Sequence, residues 1–322
     1  MARIDVHQHL IPPGYVETLA QHGVHDSGGR SFPTWDSAGA IDFMDRFEIE
    51  LGMLSVSAPG VWVGNAKASL GLAERVNDYG AELAKDRPDR FGQFASLPLP
   101  DVESACIEAA RAHDELGVDG FILLANNAGT YLGDPLYDPL METLDTRHAV
   151  VLVHPTTLPG PATSGIPTFA VDFLLDTTRA AANLVLHDVP ARFPHIRFIL
   201  SHAGGFMPYA SHRIATLTVA HEFQTAIGHT QRSVDYLLDA LSGFYVDTAL
   251  SSSRAALPTI LEFDRPDRIL FGSDYPYPPE PAIAHFTAEY ASFPTIDEDL
   301  RQAIDHTNAE RLFRRFSVAA DR

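Results

Sequence analysis

Residues 4–9 read Ile4-Asp5-Val6-His7-Gln8-His9, a short apolar run that ends in two histidines. Similar runs rich in Val, Ile, Leu and Phe recur along the chain, separated by longer segments of helical period. Because near-continuous apolar strands that alternate with helices are typical of a parallel sheet covered on its faces, the pattern predicts repeated βα units. The predicted strands are residues 4–6, 52–57, 91–97, 120–124, 150–154, 196–201, 244–247 and 269–272.

Eight such units in a chain of 322 residues fit an α/β fold of the (β/α)8 TIM-barrel type better than an open doubly wound sheet. No composition shift marks an interdomain linker, so we expect a single domain over residues 1–322. The predicted covering helices are residues 70–86, 102–116, 139–146, 170–193 and 258–264.

The charge balance restricts the class of partner. The chain has 42 acidic and 23 basic residues, for a formal net charge of -19. Nucleic acids and anionic membrane surfaces attract clustered Lys and Arg, so we expect neither as a partner and expect a small molecule instead. Cys106 is the one cysteine in the sequence, which excludes an intramolecular disulfide and a cysteine-rich metal site. With no secretory signal or long apolar span in the sequence, we expect a cytoplasmic protein.

Polar residues close several of the predicted strands. His7 and His9 end the first strand, His154 ends the fifth, His202 follows the sixth and Asp274 follows the eighth. Any one of these residues could be structural, but in a barrel the carboxyl ends of the strands meet around one axis, where active sites lie. Imidazole and carboxylate groups together form a ligand set for a divalent ion such as zinc. The sequence therefore predicts a metal site at this end of the barrel.

These segments together resemble the amidohydrolase superfamily, and most closely the branch of aminocarboxymuconate-semialdehyde decarboxylase with the 6-methylsalicylate and γ-resorcylate decarboxylases. The resemblance extends over nearly the whole chain. The motifs that carry it are Ile4-Asp5-Val6-His7-Gln8-His9, Val153-His154-Pro155, Ser201-His202-Ala203-Gly204-Gly205 and Gly272-Ser273-Asp274-Tyr275-Pro276.

The resemblance implies that His7, His9, His154 and Asp274 bind one divalent ion, zinc in the first place with manganese as the alternative. It also implies that His202 is the catalytic histidine. Binuclear members of the superfamily use a lysine on the fourth strand, and residues 120–124 contain none, so we expect a mononuclear site.

Three further residues are candidates for contact with the substrate. The resemblance implies that Arg213 reaches the substrate carboxylate across a dimer interface, and it also implies a homodimer or homotetramer. A second arginine of the family aligns near Ala40 or Ile41, where this chain has no arginine. Arg254 is a candidate by its position beyond the seventh strand, and Trp35 by its place in the long segment after the first. A surface arginine and a core tryptophan are the structural alternatives.

The resemblance implies a metal-dependent, non-oxidative decarboxylase of an aromatic, salicylate-type acid, with Asp274 as proton donor and His202 holding the substrate. The alternative is a hydrolase of a small cyclic ester or amide that uses metal-bound hydroxide, because the same ligand set serves both reactions. A metal-binding protein without turnover is a third reading, which the intact set of polar residues disfavours.

Overall fold

The structure is a computed structural model, and it describes residues 2–161, 165–225 and 232–317. Eight strands form one sheet in which each pairs in parallel with its neighbours in chain order. They are β1 (Arg3–His9), β2 (Ile49–Ser55), β3 (Phe91–Ser96), β4 (Gly120–Leu124), β5 (Val150–His154), β6 (Arg197–Leu200), β7 (Tyr245–Asp247) and β8 (Ile269–Leu270).

Backbone hydrogen bonds between the first and last strands close the sheet. The Val6 amide donates to the Phe271 carbonyl at 3.0 Å, and the His9 amide donates to the Tyr275 carbonyl at 2.7 Å. Although β8 itself has only two residues, the segment that follows it continues along β1. The prediction of a (β/α)8 TIM barrel is therefore confirmed.

Helices follow the strands and cover the outside of the barrel. The prediction of one helix over residues 170–193 was wrong in one respect. The structure has two helices, Thr168–Leu186 and Val189–Arg192, with a break at His187 because Asp188 adopts a left-handed conformation with φ of 53°. The main helices are Tyr15–Gln21, Ser37–Arg46, Ala66–Asp86, Val102–Arg111, Asp138–Asp145, Thr168–Leu186, Met207–Thr225, Val234–Leu241, Leu257–Phe263, Glu280–Ala291, Glu298–Gln302 and Asn308–Leu312.

Two apolar clusters stabilise this arrangement. A buried cluster fills the barrel interior, and its members on β1 to β5 include Val6, Met53, Phe94, Ile122 and Leu152. A larger cluster packs the outer faces of the strands against the helices. The barrel interior is therefore filled with apolar side chains, which leaves the rim at the carboxyl ends of the strands for a site. Within the described ranges, no helix has the length and apolar character needed to cross a membrane.

Candidate metal centre

The polar residues that close the predicted strands meet at the carboxyl end of the barrel. His7 and His9 lie on β1, and His154 ends β5. Asp274 lies just beyond β8, where its amide donates to the His7 carbonyl at 2.8 Å. One ligand atom each from His7, His9, His154 and Asp274 can be chosen so that all lie within 4.8 Å of one another. The predicted convergence is therefore present in the structure.

Three ligand atoms of the cluster approach one another closely. His7 Nε2 lies 3.1 Å from His9 Nε2, and Asp274 Oδ1 lies 3.1 Å from His9 Nε2 and 3.4 Å from His7 Nε2. All three imidazole rings are almost fully buried, with His7 and His9 at 0% exposure and His154 at 1%. Donor atoms that surround an ion at about 2.1 Å are separated by roughly 3.0–3.5 Å, so these spacings fit a small divalent ion.

The Nδ1 atom of each of these three rings lies within hydrogen-bond distance of an oxygen atom. His7 Nδ1 lies 2.9 Å from Asp247 Oδ2, His9 Nδ1 lies 3.0 Å from Ser55 Oγ, and His154 Nδ1 lies 2.8 Å from the Pro155 carbonyl. Hydrogen bonding of Nδ1 leaves the Nε2 lone pair free, which is the usual arrangement of a metal-binding histidine. The three rings are therefore oriented by their surroundings to present Nε2 to the centre of the cluster.

Burial and neighbouring charges shift the pKa values of three members of the cluster. Burial opposes a charge on His7, but the carboxylates of Asp247 and Asp274 outweigh it and raise the pKa of His7 to about 10. Burial, reinforced by the neighbouring imidazoles, holds the pKa of His154 well below its usual range. Burial opposes the charge on Asp274, yet contacts with His202, His7 and His9 hold its pKa well below the usual value. Asp274 is therefore a carboxylate, as metal binding requires.

His202 lies beside the four ligands in a different setting. Its Nε2 is 3.4 Å from Asp274 Oδ2, whereas its buried Nδ1 has no hydrogen-bond partner among the described residues. The backbone at His202 is left-handed, with φ of 54°, and its amide donates to Asp247 Oδ1 at 3.0 Å. A Cβ on Gly205 would lie 2.0 Å from the Leu174 carbonyl oxygen, so the turn after His202 requires glycine there.

Two further residues of the site, Asp247 and Ser55, were not predicted from the sequence. Both lie at the end of a barrel strand, β7 and β2, and both hold a histidine of the cluster by its Nδ1. The carboxylate of Asp247 at the end of a predicted strand was a usable signal. The sequence around Ser55 contains no such signal, because a serine at a strand end is common.

The structure shows the surroundings of the three predicted substrate residues. Arg213 is exposed on the helix Met207–Thr225. The side chain of Arg254 is 79% exposed and pairs with Glu289 at 3.3 Å. Trp35 is half-buried and packs edge-on against Tyr79 at 6.4 Å between ring centroids. None of the contacts described for these three side chains reaches a member of the cluster.

Known proteins share this fold and most of its length. A sequence profile described as Amidohydrolase matches residues 4–315. Decarboxylase yanB of Aspergillus niger is 34% identical and covers 100% of this chain and 90% of its own length. The 6-methylsalicylic acid decarboxylase of Penicillium expansum is 33% identical, covering 100% of this chain and 99% of its own. A solved 2,6-dihydroxybenzoate decarboxylase bound to 2,6-dihydroxybenzoate is 26% identical with a TM-score of 0.79, covering 97% and 99%.

The residues of the cluster lie within the part of the chain that the family profile matches. The histidine pair on β1, the histidine ending β5 and the aspartate after β8 stand in one cluster on a closed barrel. The matched profile spans all of these positions. This chain belongs to the amidohydrolase family.

Proposed function

We propose that this chain is a metal-dependent, non-oxidative decarboxylase of a salicylate-type hydroxybenzoic acid, which releases CO2. The observation that carries the proposal is the cluster of His7, His9, His154 and Asp274, with His202 beside it. The full-length similarity to 6-methylsalicylic acid decarboxylase supports the reaction class. The similarity to a solved 2,6-dihydroxybenzoate decarboxylase supports a hydroxybenzoate as substrate.

The four ligands would hold one divalent ion, and we propose zinc, with manganese as the alternative. Three imidazole nitrogens and one carboxylate oxygen suit both ions. When bound, such an ion orients the phenol and carboxylate oxygens of the acid and stabilises negative charge that develops on the substrate. The chain contributes the fixed orientation of the rings, through the hydrogen bonds at each Nδ1.

Loss of CO2 from an aromatic acid breaks the bond between the ring carbon and the carboxylate. That ring carbon must accept a proton, because otherwise an unstable aryl carbanion would form. Once the proton is in place, the electron pair of the breaking bond restores the aromatic ring as CO2 departs. The net change is the consumption of one proton, so the enzyme must deliver a proton to one defined carbon atom.

We assign delivery of that proton to Asp274, with His202 as the group that holds the substrate and supplies Asp274. As a metal ligand, Asp274 would be ionised in the resting site, because metal binding requires the carboxylate form. It must therefore receive a proton before it can donate one. His202 Nε2, 3.4 Å from Asp274 Oδ2, is placed to pass that proton. Asp274 Oδ1 faces His7 and His9. We therefore assign metal binding to Oδ1 and proton transfer to Oδ2.

The substrate carboxylate needs a cation, because the chain carries a formal net charge of -19. Arg213 is exposed on the outer surface of its own subunit, so we propose that it serves the site of a partner subunit in a homodimer or homotetramer. Arg254 is proposed as a steering cation at the rim, and Trp35 as a wall residue of the substrate pocket. We also propose a single catalytic domain that works in the cytoplasm.

Release of labelled CO2 tests the proposal. Metal-depleted protein is reconstituted with zinc or manganese and given 6-methylsalicylate and 2,6-dihydroxybenzoate carrying 13C in the carboxylate. Metal-dependent release of 13CO2 is expected. Absence of CO2 release, together with metal-dependent opening of an aromatic lactone such as dihydrocoumarin, would contradict it and favour a hydrolase.

A further inference from the structure

A cavity of about 430 Å3 opens at the carboxyl ends of β2 to β5. Its floor and walls come from the loops that follow these four strands. The aliphatic part of its lining includes Val56, Leu97, Leu99, Ile122 and Leu124. Its volume falls within the usual range for small-molecule pockets, about 300–1,000 Å3.

The cavity lies next to the metal centre. Leu124, which lines it, is the direct partner of the ligand His154 in the pairing of β4 with β5. Val56, another lining residue, precedes Ser57, whose Oγ lies 3.4 Å from His154 Nε2. Thr156, two residues beyond His154, also lines it. A ring held at the cluster therefore has this space on the β4–β5 side.

The lining is free of formal charge. Among the described residues that line the cavity, there is no Lys, Arg, His, Asp or Glu. The amide of Asn126 is already hydrogen-bonded, because its Nδ2 donates to Asp176 at 2.9 Å and its Oδ1 accepts from the Gly129 amide at 3.0 Å. The buried Ser96 Oγ and Asn127 Nδ2 have no hydrogen-bond partner among the described residues, so the lining offers neutral polar groups but no counterion. An ionised group placed here would lose its hydration without gaining a counterion, whereas a carbon chain would gain from burial.

We propose that this cavity receives a neutral, carbon-rich substituent on the aromatic ring. The substrate is therefore an alkyl-substituted salicylate with a side chain longer than methyl, and not an acid with a second carboxylate. This inference rests on the proposed function, since it concerns the same site. It goes beyond that function because it identifies which derivatives of the acid the chain prefers and which residues decide the preference.

A substrate series tests the preference directly. The enzyme reconstituted with zinc is given methyl- and propylsalicylates, each substituted at ring position 4, 5 or 6, and 5-carboxysalicylate. Burial of one methylene favours binding by about fourfold, so propyl, with two more methylenes than methyl, should exceed it by roughly 16-fold in kcat/KM at the position that faces the cavity. Little or no turnover is expected with 5-carboxysalicylate. The proposal is overturned if methyl equals or exceeds propyl at all three positions, or if 5-carboxysalicylate matches propyl.

Variants link the preference to the cavity. Leu97→Phe reduces the space, so the ratio of kcat/KM for propyl over methyl should fall at least fivefold. Leu97→Ala enlarges the space and should keep or raise that ratio. The matched control is Leu136→Phe, because Leu136 is 55% exposed and is not among the lining residues. A ratio that falls equally in Leu97→Phe and Leu136→Phe would overturn the assignment of the cavity.

The same assays distinguish a failure of the proposed function from a failure of the cavity assignment. If none of the acids releases CO2 in the presence of metal, the proposed function fails. If 6-methylsalicylate is decarboxylated but the propyl derivatives give no gain, the proposed function stands and only the role of the cavity is contradicted.

Discussion

His7 and Asp247 lie 240 positions apart in the sequence, yet His7 Nδ1 is 2.9 Å from Asp247 Oδ2 and both side chains are fully buried. The other oxygen of the same carboxylate accepts the amide of His202 at 3.0 Å. One side chain at the end of β7 thus orients a predicted metal ligand and also fixes the backbone of the predicted catalytic histidine. Carboxylates that orient ligating histidines in this way contribute to metal affinity without touching the ion.

Asp247→Asn should weaken metal binding by about 10–100-fold, because the substitution removes the negative charge that orients the His7 ring. Competition with a metal chelator measures the dissociation constant. Asp239→Asn is the control, since Asp239 is exposed and pairs with Arg265. Equal affinity in the two variants would show that Asp247 has no part in holding the site.

Asp274→Asn should lower kcat by about 10²–10⁴-fold even with saturating metal, because an amide cannot donate the required proton. Steady-state CO2 release measures kcat, and metal analysis of the same sample shows whether the ion is still bound. Circular dichroism checks that the barrel is folded. Near-wild-type turnover in a metal-loaded Asp274→Asn protein would exclude this residue as the proton donor.

Mixing two inactive variants tests the position of Arg213. If Arg213 acts across a dimer interface, a heterodimer of Arg213→Ala with Asp274→Asn contains one complete site. Random reassociation of equal amounts should then restore about a quarter of wild-type activity. CO2 release after unfolding and refolding the mixture measures this. If the mixture stays as inactive as its components, Arg213 acts in the site of its own subunit. If Arg213→Ala is active by itself, Arg213 has no part in the site.

Asp264 should make the free energy of unfolding depend on pH. It is 3% exposed, its carboxylate oxygens have no hydrogen-bond partner among the described residues, and burial raises its pKa to about 8. The folded chain therefore keeps a proton that the unfolded chain, with an ordinary aspartate pKa of about 3.9, releases. Its contribution to stability is present at low pH and is lost as pH rises towards 8, by up to about 1.4 kcal/mol per pH unit.

Asp264→Asn should remove this contribution, so that the variant gains stability relative to wild type as pH rises from 5 to 8. Urea unfolding at the two pH values, with metal in excess, measures the difference. Asp267→Asn keeps the wild-type dependence, because Asp267 is exposed three positions away. Parallel pH dependences in wild type and Asp264→Asn would contradict the assignment.

The barrel and its principal ligands were predictable because they depend on local patterns. The apolar runs that became β1 to β6 have side chains buried on both faces, which gives a continuous signal in sequence. His7, His9, His154 and Asp274 follow from a rule of the fold, since the carboxyl ends of barrel strands face one rim. Their close approach confirms that rule.

The remaining features depend on contacts between distant parts of the chain. The support of His9 by Ser55 requires the pairing of β1 with β2, and nothing in the residues around Ser55 indicates it. The break at His187 depends on one left-handed residue, Asp188, within a sequence of helical period. The cavity beside His154 combines loops from four strands, so no single motif could identify it.

Metal content per chain is the most direct test of the account. The wild-type protein, dialysed against zinc and then freed of excess, is compared with His7→Ala, His154→Ala and the exposed-site control His285→Ala by inductively coupled plasma mass spectrometry. We predict about one equivalent of metal in wild type and in the control, and less than about a tenth in the other two. Retention of a full equivalent by His7→Ala and His154→Ala, or a wild-type protein that binds none, would contradict the central claim.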